Sequence, residues 1–237
     1  MNADKQQRTS ENVPYIVGAI FVLLFLGLCA WQIKRGLDKR EAQLQFAAES
    51  GWSSWSDGVD VEPFQRIQAG GSYLGDRQLL LENITLHGRQ GFYVITPLKI
   101  RDDEPLLLVN RGWLLRESRR PEVSQLDLPD ERVTVRGRVG RLPRAGLKMD
   151  DPISLSDAWP RTAVFPDYRD VAAAIGHEVQ PFVLLLDAAE DHGFVREWQP
   201  VKYGPERNFG YAVQWAAMAL MLGGLLIWNY RRRGFEE

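Results

Sequence analysis

The chain has 237 residues, 25% of them charged, with a net charge of −2 and a mean hydropathy of −0.28. That balance leaves no electrostatic footprint for nucleic acid. The single cysteine, Cys29, rules out intramolecular disulfides and metal sites of the CxxC type.

The average conceals two apolar blocks. After a tail (1–12) carrying Asp4, Lys5, Arg8 and Glu11, the stretch PYIVGAIFVLLFLGLCAWQI runs from Pro14 to Ile33 without a charge. At ~1.5 Å per residue it reaches about 30 Å, the thickness of a bilayer's hydrocarbon core. It is too long for a signal-peptide core, and WQIKR follows it instead of a small-residue cleavage site. Residues 13–34 therefore read as a first transmembrane helix acting as an uncleaved anchor. The acidic residues of the tail argue against an organelle transit peptide and for a bacterial source.

Residues 35–207 form the connecting domain. Leu37, Leu44 and Phe46, with charge interleaved, extend the first helix beyond the membrane. Strand-like runs follow at 64–74, 77–86, 91–100, 104–114, 133–139 and 181–188, separated by turn residues such as Gly75-Asp76 and His87 to Gly91. The prolines between Arg141 and Pro166 mark a loop-rich region, and DYRDVAAAIG predicts one soluble helix with Asp167 as its cap and Gly176 as its stop. Strands at this spacing with few helices predict an α+β domain built on an antiparallel barrel or sandwich. Residues 208–230 are the second transmembrane helix and 231–237 the second tail. Both tails then share one side of the membrane, and Arg231, Arg232 and Arg233 favour the cytoplasm.

The domain carries no GxSxG, HExxH, P-loop or GxGxxG pattern, and no enzymatic activity or metal is expected. His87, His177 and His192 are isolated, and solvated turn histidines are the plain reading. Leu107 to Trp113 is a buried strand ending in Asn110, Arg111, Gly112 and Trp113. Arg111 and Trp113 suit either a recognition patch for a protein or anion, or an edge-strand arginine packed on tryptophan. The membrane residues are more informative together. Trp31 and Gln32 end the first helix, Tyr211, Gln214 and Trp215 begin the second, and Arg35 and Arg207 lie at the same level. An aromatic belt accounts for the rings. The glutamines either bond each other or, with Arg35, line a polar notch for a partner helix or an acidic cofactor group, because amides are costly in hydrocarbon.

Three blocks resemble the surfeit-locus-protein family of cytochrome c oxidase assembly factors: Gly27, Trp31, Gln32 and Arg35; the run GSYLGDRQLLLENITLHGRQGFYVITPL with LLLVNRGWL; and PERNFGYAVQWAAMAL. The resemblance implies a multi-pass protein of the bacterial inner membrane with a periplasmic domain and cytoplasmic termini. It implies a chaperone that assists haem a insertion into, or maturation of, the large catalytic subunit of a haem–copper oxidase, alongside other assembly factors and the lipid bilayer. Transient haem a contact comes with that expectation. However, Asn208 stands where the family often has a histidine, and an amide is a poor axial ligand for iron. The alternative from the residues alone is a membrane-tethered extracytoplasmic ligand-binding or sensor domain.

Overall fold

A computed structural model of the chain describes residues 2–48, 50–117, 126–143, 152–154, 158–201 and 203–233, with side chains described from 13 to 232. The tail charges Asp4, Lys5, Arg8 and Glu11, the side chain of Arg233, and much of the segment from Arg141 to Pro166 lie outside them. The described residues fall into two compact units, a helical one from the two ends of the chain and one covering Ala48–Trp198.

The helical unit is α1 (Asn2–Ala47) with α3 (Glu206–Arg233). Both are long and apolar enough to cross a membrane, over Val13–Ala47 and Glu206–Arg232, and their apolar side chains face outward. Leu23 is 69% exposed and Leu220 77%. An apolar surface of that extent suits lipid rather than water. The helices pack antiparallel along a seam repeating every three or four residues. Gly18, Gln32 and Gly36 of α1 are buried there, as are Ala212 and Ala219 of α3. Small residues let the backbones approach: a methyl group on Gly36 would meet the Phe209 ring at 2.6 Å. Phe25 stacks on Trp215 at 5.7 Å, and Tyr15 meets Tyr230 edge-on at 6.1 Å. α1 continues without a break to Ala47, past Leu37, Leu44 and Phe46, and the β-rich unit covers Ala48–Trp198.

In the second unit the order is β1 (Ser53–Ser54), β2 (Arg66–Tyr73), β3 (Leu79–Leu86), β4 (Arg89–Lys99), β5 (Leu106–Leu115), β6 (Val133–Gly140), β7 (Arg161–Ala163), α2 (Tyr168–Ile175) and β8 (Val179–Leu186). Five strands close a barrel in the order β2-β6-β8-β5-β4, because β4 returns to β2 with Ser72 opposite Lys99 and Tyr73 opposite Leu98. The ring is antiparallel except for β5 and β8, which run parallel, a pairing that strand-by-strand reading does not disclose. β3 and β7 extend the sheet beyond β4.

Alternation sets the core. In β2 the residues alternate between half-buried and buried, sending Ile67, Ala69 and Tyr73 into the barrel with Leu98, Leu107, Val109, Val135 and Leu184. β5 is buried on both faces, since its outward Leu108 packs in a second core with Leu79, Ile95, Val183 and Val171 of α2. The turn joining β3 and β4 has only two residues, His87 and Gly88, with φ of 49° and 76°. It is tighter than the predicted five-residue turn, because two left-handed residues match the twist of a hairpin. α2 begins and ends as its sequence signals predict. Asp167 Oδ1 accepts from the Arg169 and Asp170 amides at 2.9 Å, Asp170 Oδ2 accepts from the Asp167 amide at 2.8 Å, and Gly176 closes the helix at φ 77°.

Replacing Asp167 with Ala removes this reciprocal cap and is expected to cost about 1 kcal/mol. Thermal unfolding of the detergent-solubilised chain should show a midpoint about 2–4 °C lower. Asp167→Asn, which keeps the acceptor oxygen, should recover most of the loss.

Candidate functional site

Two places gather the polar side chains that the sequence singles out. The first is one end of the barrel. Continuing the inward row Leu107, Val109 places Arg111 inside, where it is 2% exposed and is the bulkiest fully buried side chain among the described residues. Its Nε donates to His192 O at 2.7 Å, and its Nη1 donates to Gln78 Oε1 at 2.9 Å and Leu126 O at 3.1 Å. Gln78 is saturated in turn: Oε1 also accepts from Thr96 Oγ1 at 3.0 Å, while Nε2 donates to Gly75 O and Leu126 O. The guanidinium lies 5.0 Å from the centre of the Phe194 ring. Each acceptor on these bonds is neutral.

Gly112 lets this happen. Its φ of 117° is open mainly to glycine, and a Cβ there would lie 2.8 Å from Val195 O. The backbone of 192–195 can therefore run alongside, with Phe194 N donating to Arg111 O at 2.7 Å and Trp113 N to Val195 O at 2.7 Å. Trp113 is also buried, and its Nε1 donates to Ile84 O at 3.1 Å. This corrects the expectation of a recognition patch, and the edge-strand alternative too. β5 is a central strand, Arg111 packs on Phe194 rather than Trp113, and neither side chain is at the surface.

Burial holds the Arg111 guanidinium at a pKa of about 10, with nearby Tyr73 working against the shift. Burial pushes the Tyr73 phenol up to about 12, opposed by Arg111. A polar cavity of about 390 Å³ adjoins the cluster, lined in part by Tyr73, Gln78, Leu126, Asp76, Asp127 and Asp130. Among the described residues no three His, Cys, Asp or Glu side chains are placed to hold a metal. His87 pairs with Glu197 at 2.8 Å on the surface, and exposed His177 donates to Glu178 O. His192 contributes its carbonyl to Arg111 rather than its ring.

The second place is the mouth of the hairpin. Asn208 Nδ2 donates to Gln32 Oε1 at 2.7 Å, and Asn208 Oδ1 accepts from Lys39 Nζ at 2.7 Å. A single amide thus links the helices at two levels of α1. Gln32 does not meet Gln214: the partner of Gln32 is Asn208, and Gln214 is exposed. Helix phase is the reason. Gln214 lies about 200° around α3 from the buried Ala212 and points away from the seam. Trp31, Arg35, Arg207 and Tyr211 are exposed too, with Arg207 over the rings of Tyr203 at 5.0 Å and Tyr211 at 6.0 Å. Trp215 turns inward onto Phe25. Lys39 escapes a reading of the sequence, although it stands two turns beyond Gln32 on the same helical face. Gln78 and Thr96 have no comparable signal, because only the closed barrel brings them to Arg111.

Two measurements test these readings. A native phenol pKa raised above the unfolded value contributes stability that is present below pH 10 and lost as pH rises through about 12. A native guanidinium pKa lowered to about 10 acts oppositely, relieving a cost over the same range. Tyr73→Phe should therefore gain on the wild-type chain by about 2 kcal/mol between pH 10 and 12 in denaturant titrations. A constant difference would show that Tyr73 titrates normally. In the hairpin, Asn208→Leu leaves the Gln32 carbonyl buried and unpaired. It should lower resistance to detergent unfolding by about 1 kcal/mol, followed by circular dichroism, whereas Gln214→Leu should leave it unchanged.

Residues 19–220 match the model of the SURF1 family. A SURF1-like protein of Dictyostelium discoideum is 28% identical over 109 residues, covering 40% of this chain and 40% of its own length. A SURF1-like protein of Drosophila melanogaster is 25% identical over 122 residues, covering 42% of this chain and 40% of its own. The chain thus spans about two fifths of the length of each of these relatives. The family match begins within α1, crosses the whole β-rich unit and ends within α3, so it takes in both the hairpin mouth and the barrel end. The chain belongs to the SURF1 family.

Proposed function

We propose that the protein is a membrane-bound assembly factor for a haem–copper cytochrome c oxidase, acting on the large catalytic subunit by contact and without catalytic turnover. The observation that carries this reading is the family match over residues 19–220, which joins both helices to the β-rich unit in one assignment. The distribution of polar groups agrees with it. The barrel-end cluster around Arg111 is hydrogen-bonded within the fold, whereas Trp31, Arg35, Arg207, Tyr211 and Gln214 are turned outward, where contact is made. In this reading the chain lies in the bacterial inner membrane. Arg231 and Arg232 keep the tails cytoplasmic and the β-rich unit lies in the periplasm.

Assistance to haem a insertion belongs to the proposal as an effect on the client subunit. Axial ligation by Asn208 does not: both ends of its amide are engaged by Gln32 and Lys39, and amides are not among the usual axial ligands. A ligand-binding sensor, the reading from another class, calls for an apolar ligand-sized pocket in the β-rich unit. The cavity beside Gln78 is mainly polar and counts Asp76, Asp127 and Asp130 among its lining residues.

Deleting the gene should deplete oxidase activity and the haem a content of the large subunit, measured by difference spectroscopy of membranes, and complementation with the full chain should restore both. Normal activity and haem content in the deletion strain would sink the proposal.

A further inference from the structure

The outward polar residues of the hairpin share one face. On α3, Arg207, Tyr211, Gln214 and Met218 follow one another at spacings of four, three and four, which keeps them on a single stripe. On α1, Trp31 and Arg35 are one turn apart. Trp31 precedes the buried Gln32 by one residue, as Tyr211 precedes the buried Ala212, so each lies about 100° off its seam in the same rotational sense. Because the helices run antiparallel, equal rotation on each carries both residues to the same flank of the pair. The bond between Gln32 and Asn208 holds them at the same depth.

Lipid accounts for part of this flank only. Headgroups satisfy Arg35 and Arg207, and interfacial water suits Trp31 and Tyr211. Gln214 lies ~9 Å further along the axis than Asn208, among apolar neighbours, and is exposed. It makes no hydrogen bond with another described residue. A headgroup does not answer an amide at that depth, whereas a side chain on a neighbouring helix does. A second copy of this chain is a poor occupant. Two copies related by an axis along the membrane normal meet at equal depths, which sets arginine against arginine.

We propose that this flank docks a transmembrane helix of a different protein, one with a hydrogen-bonding side chain at the depth of Gln214 and a carboxylate at the level of Arg35 and Arg207. The docked helix completes the amide's hydrogen bonds inside the membrane, and the two arginines select an acidic partner at the interface. This rests on the assembly reading for the role of the contact, but not for its geometry.

The test places benzoylphenylalanine at Met218, on the flank, or at Leu220, which is 77% exposed on the other side of α3, in the full chain within its native membranes. After irradiation, the Met218 probe should give an adduct whose attached peptide is a transmembrane segment of another protein with a carboxylate at its interfacial end. Its yield should fall roughly threefold or more in a Gln214→Leu background. The Leu220 probe should give lipid adducts. Adducts at Met218 with lipid alone, adducts with a second copy of the chain, equal protein adducts at both positions, or a yield indifferent to Gln214→Leu each overturn the proposal. Oxidase content in the deletion strain is scored separately. A Gln214-dependent adduct with normal oxidase keeps the docking flank and removes the assembly role, and the reverse pattern does the opposite.

Discussion

Burying a guanidinium with only neutral acceptors around it is the constraint that organises the β-rich unit. The described hydrogen bonds of Arg111 go to carbonyl and amide oxygens rather than to a carboxylate, so the fold must hold each acceptor in place. Arg111 recruits Gln78 from the turn before β3, the carbonyl of Leu126 from the segment before β6, and the carbonyl of His192 from the segment after β8. Chain regions far apart in sequence are thereby fixed to one end of the barrel. The cost is visible in the guanidinium's lowered pKa, whose first cause is desolvation. Such a network gains from each group that is satisfied, and here Gln78 uses both ends of its amide.

The hairpin solves a similar problem with fewer parts. Asn208 gives its NH₂ to Gln32 and its carbonyl to Lys39, so one residue satisfies two groups on the facing helix. The asparagine thus serves the helix pair, and its place opposite Gln32 fixes the helices in depth as well as in register. The aromatic contacts of Phe25 with Trp215 and of Tyr15 with Tyr230 continue the seam toward the other end without adding polar groups at the core of the span.

Much of this is legible in the residues themselves. The alternation in VTVRGRV, the Asp167 and Gly176 signals and the two apolar blocks each depend on local periodicity, and each corresponds to the element it predicts. The row Leu107, Val109, Arg111 was legible as well. Taken at its word, it puts the arginine inside, but the habit of placing charge on the surface obscures that. The pairing of β5 with β8 and the two short strands β1 and β7 were not legible, because they follow from closure of the sheet rather than from the residues within them. The partner of Gln32 is not legible for another reason. Proximity along the membrane normal suggests Gln214, while rotational phase selects Asn208. Phase is set by where Gly36, Ala212 and Ala219 let the backbones approach, and this is settled only when both helices are placed.

The two amides at the mouth end of α3, Asn208 and Gln214, therefore have opposite assignments, and the difference carries the functional argument. A polar side chain on the seam lowers the energy of the hairpin itself, so Asn208 is explained without a partner. One on the outer flank gives the isolated hairpin nothing and incurs a desolvation cost in lipid. Gln214 is in that position, between Tyr211 and Met218, with Arg35 and Arg207 above it at the interface. A helix selected only for anchoring is served better by leucine there. The amide has a physical rationale once another helix lies against the flank, and on the proposed assembly reading a transient partner is better held by one amide and two interfacial charges than by a broad apolar surface. Such a contact is specific, because mismatched helices leave the amide unpaired, and it is weak enough to be exchanged.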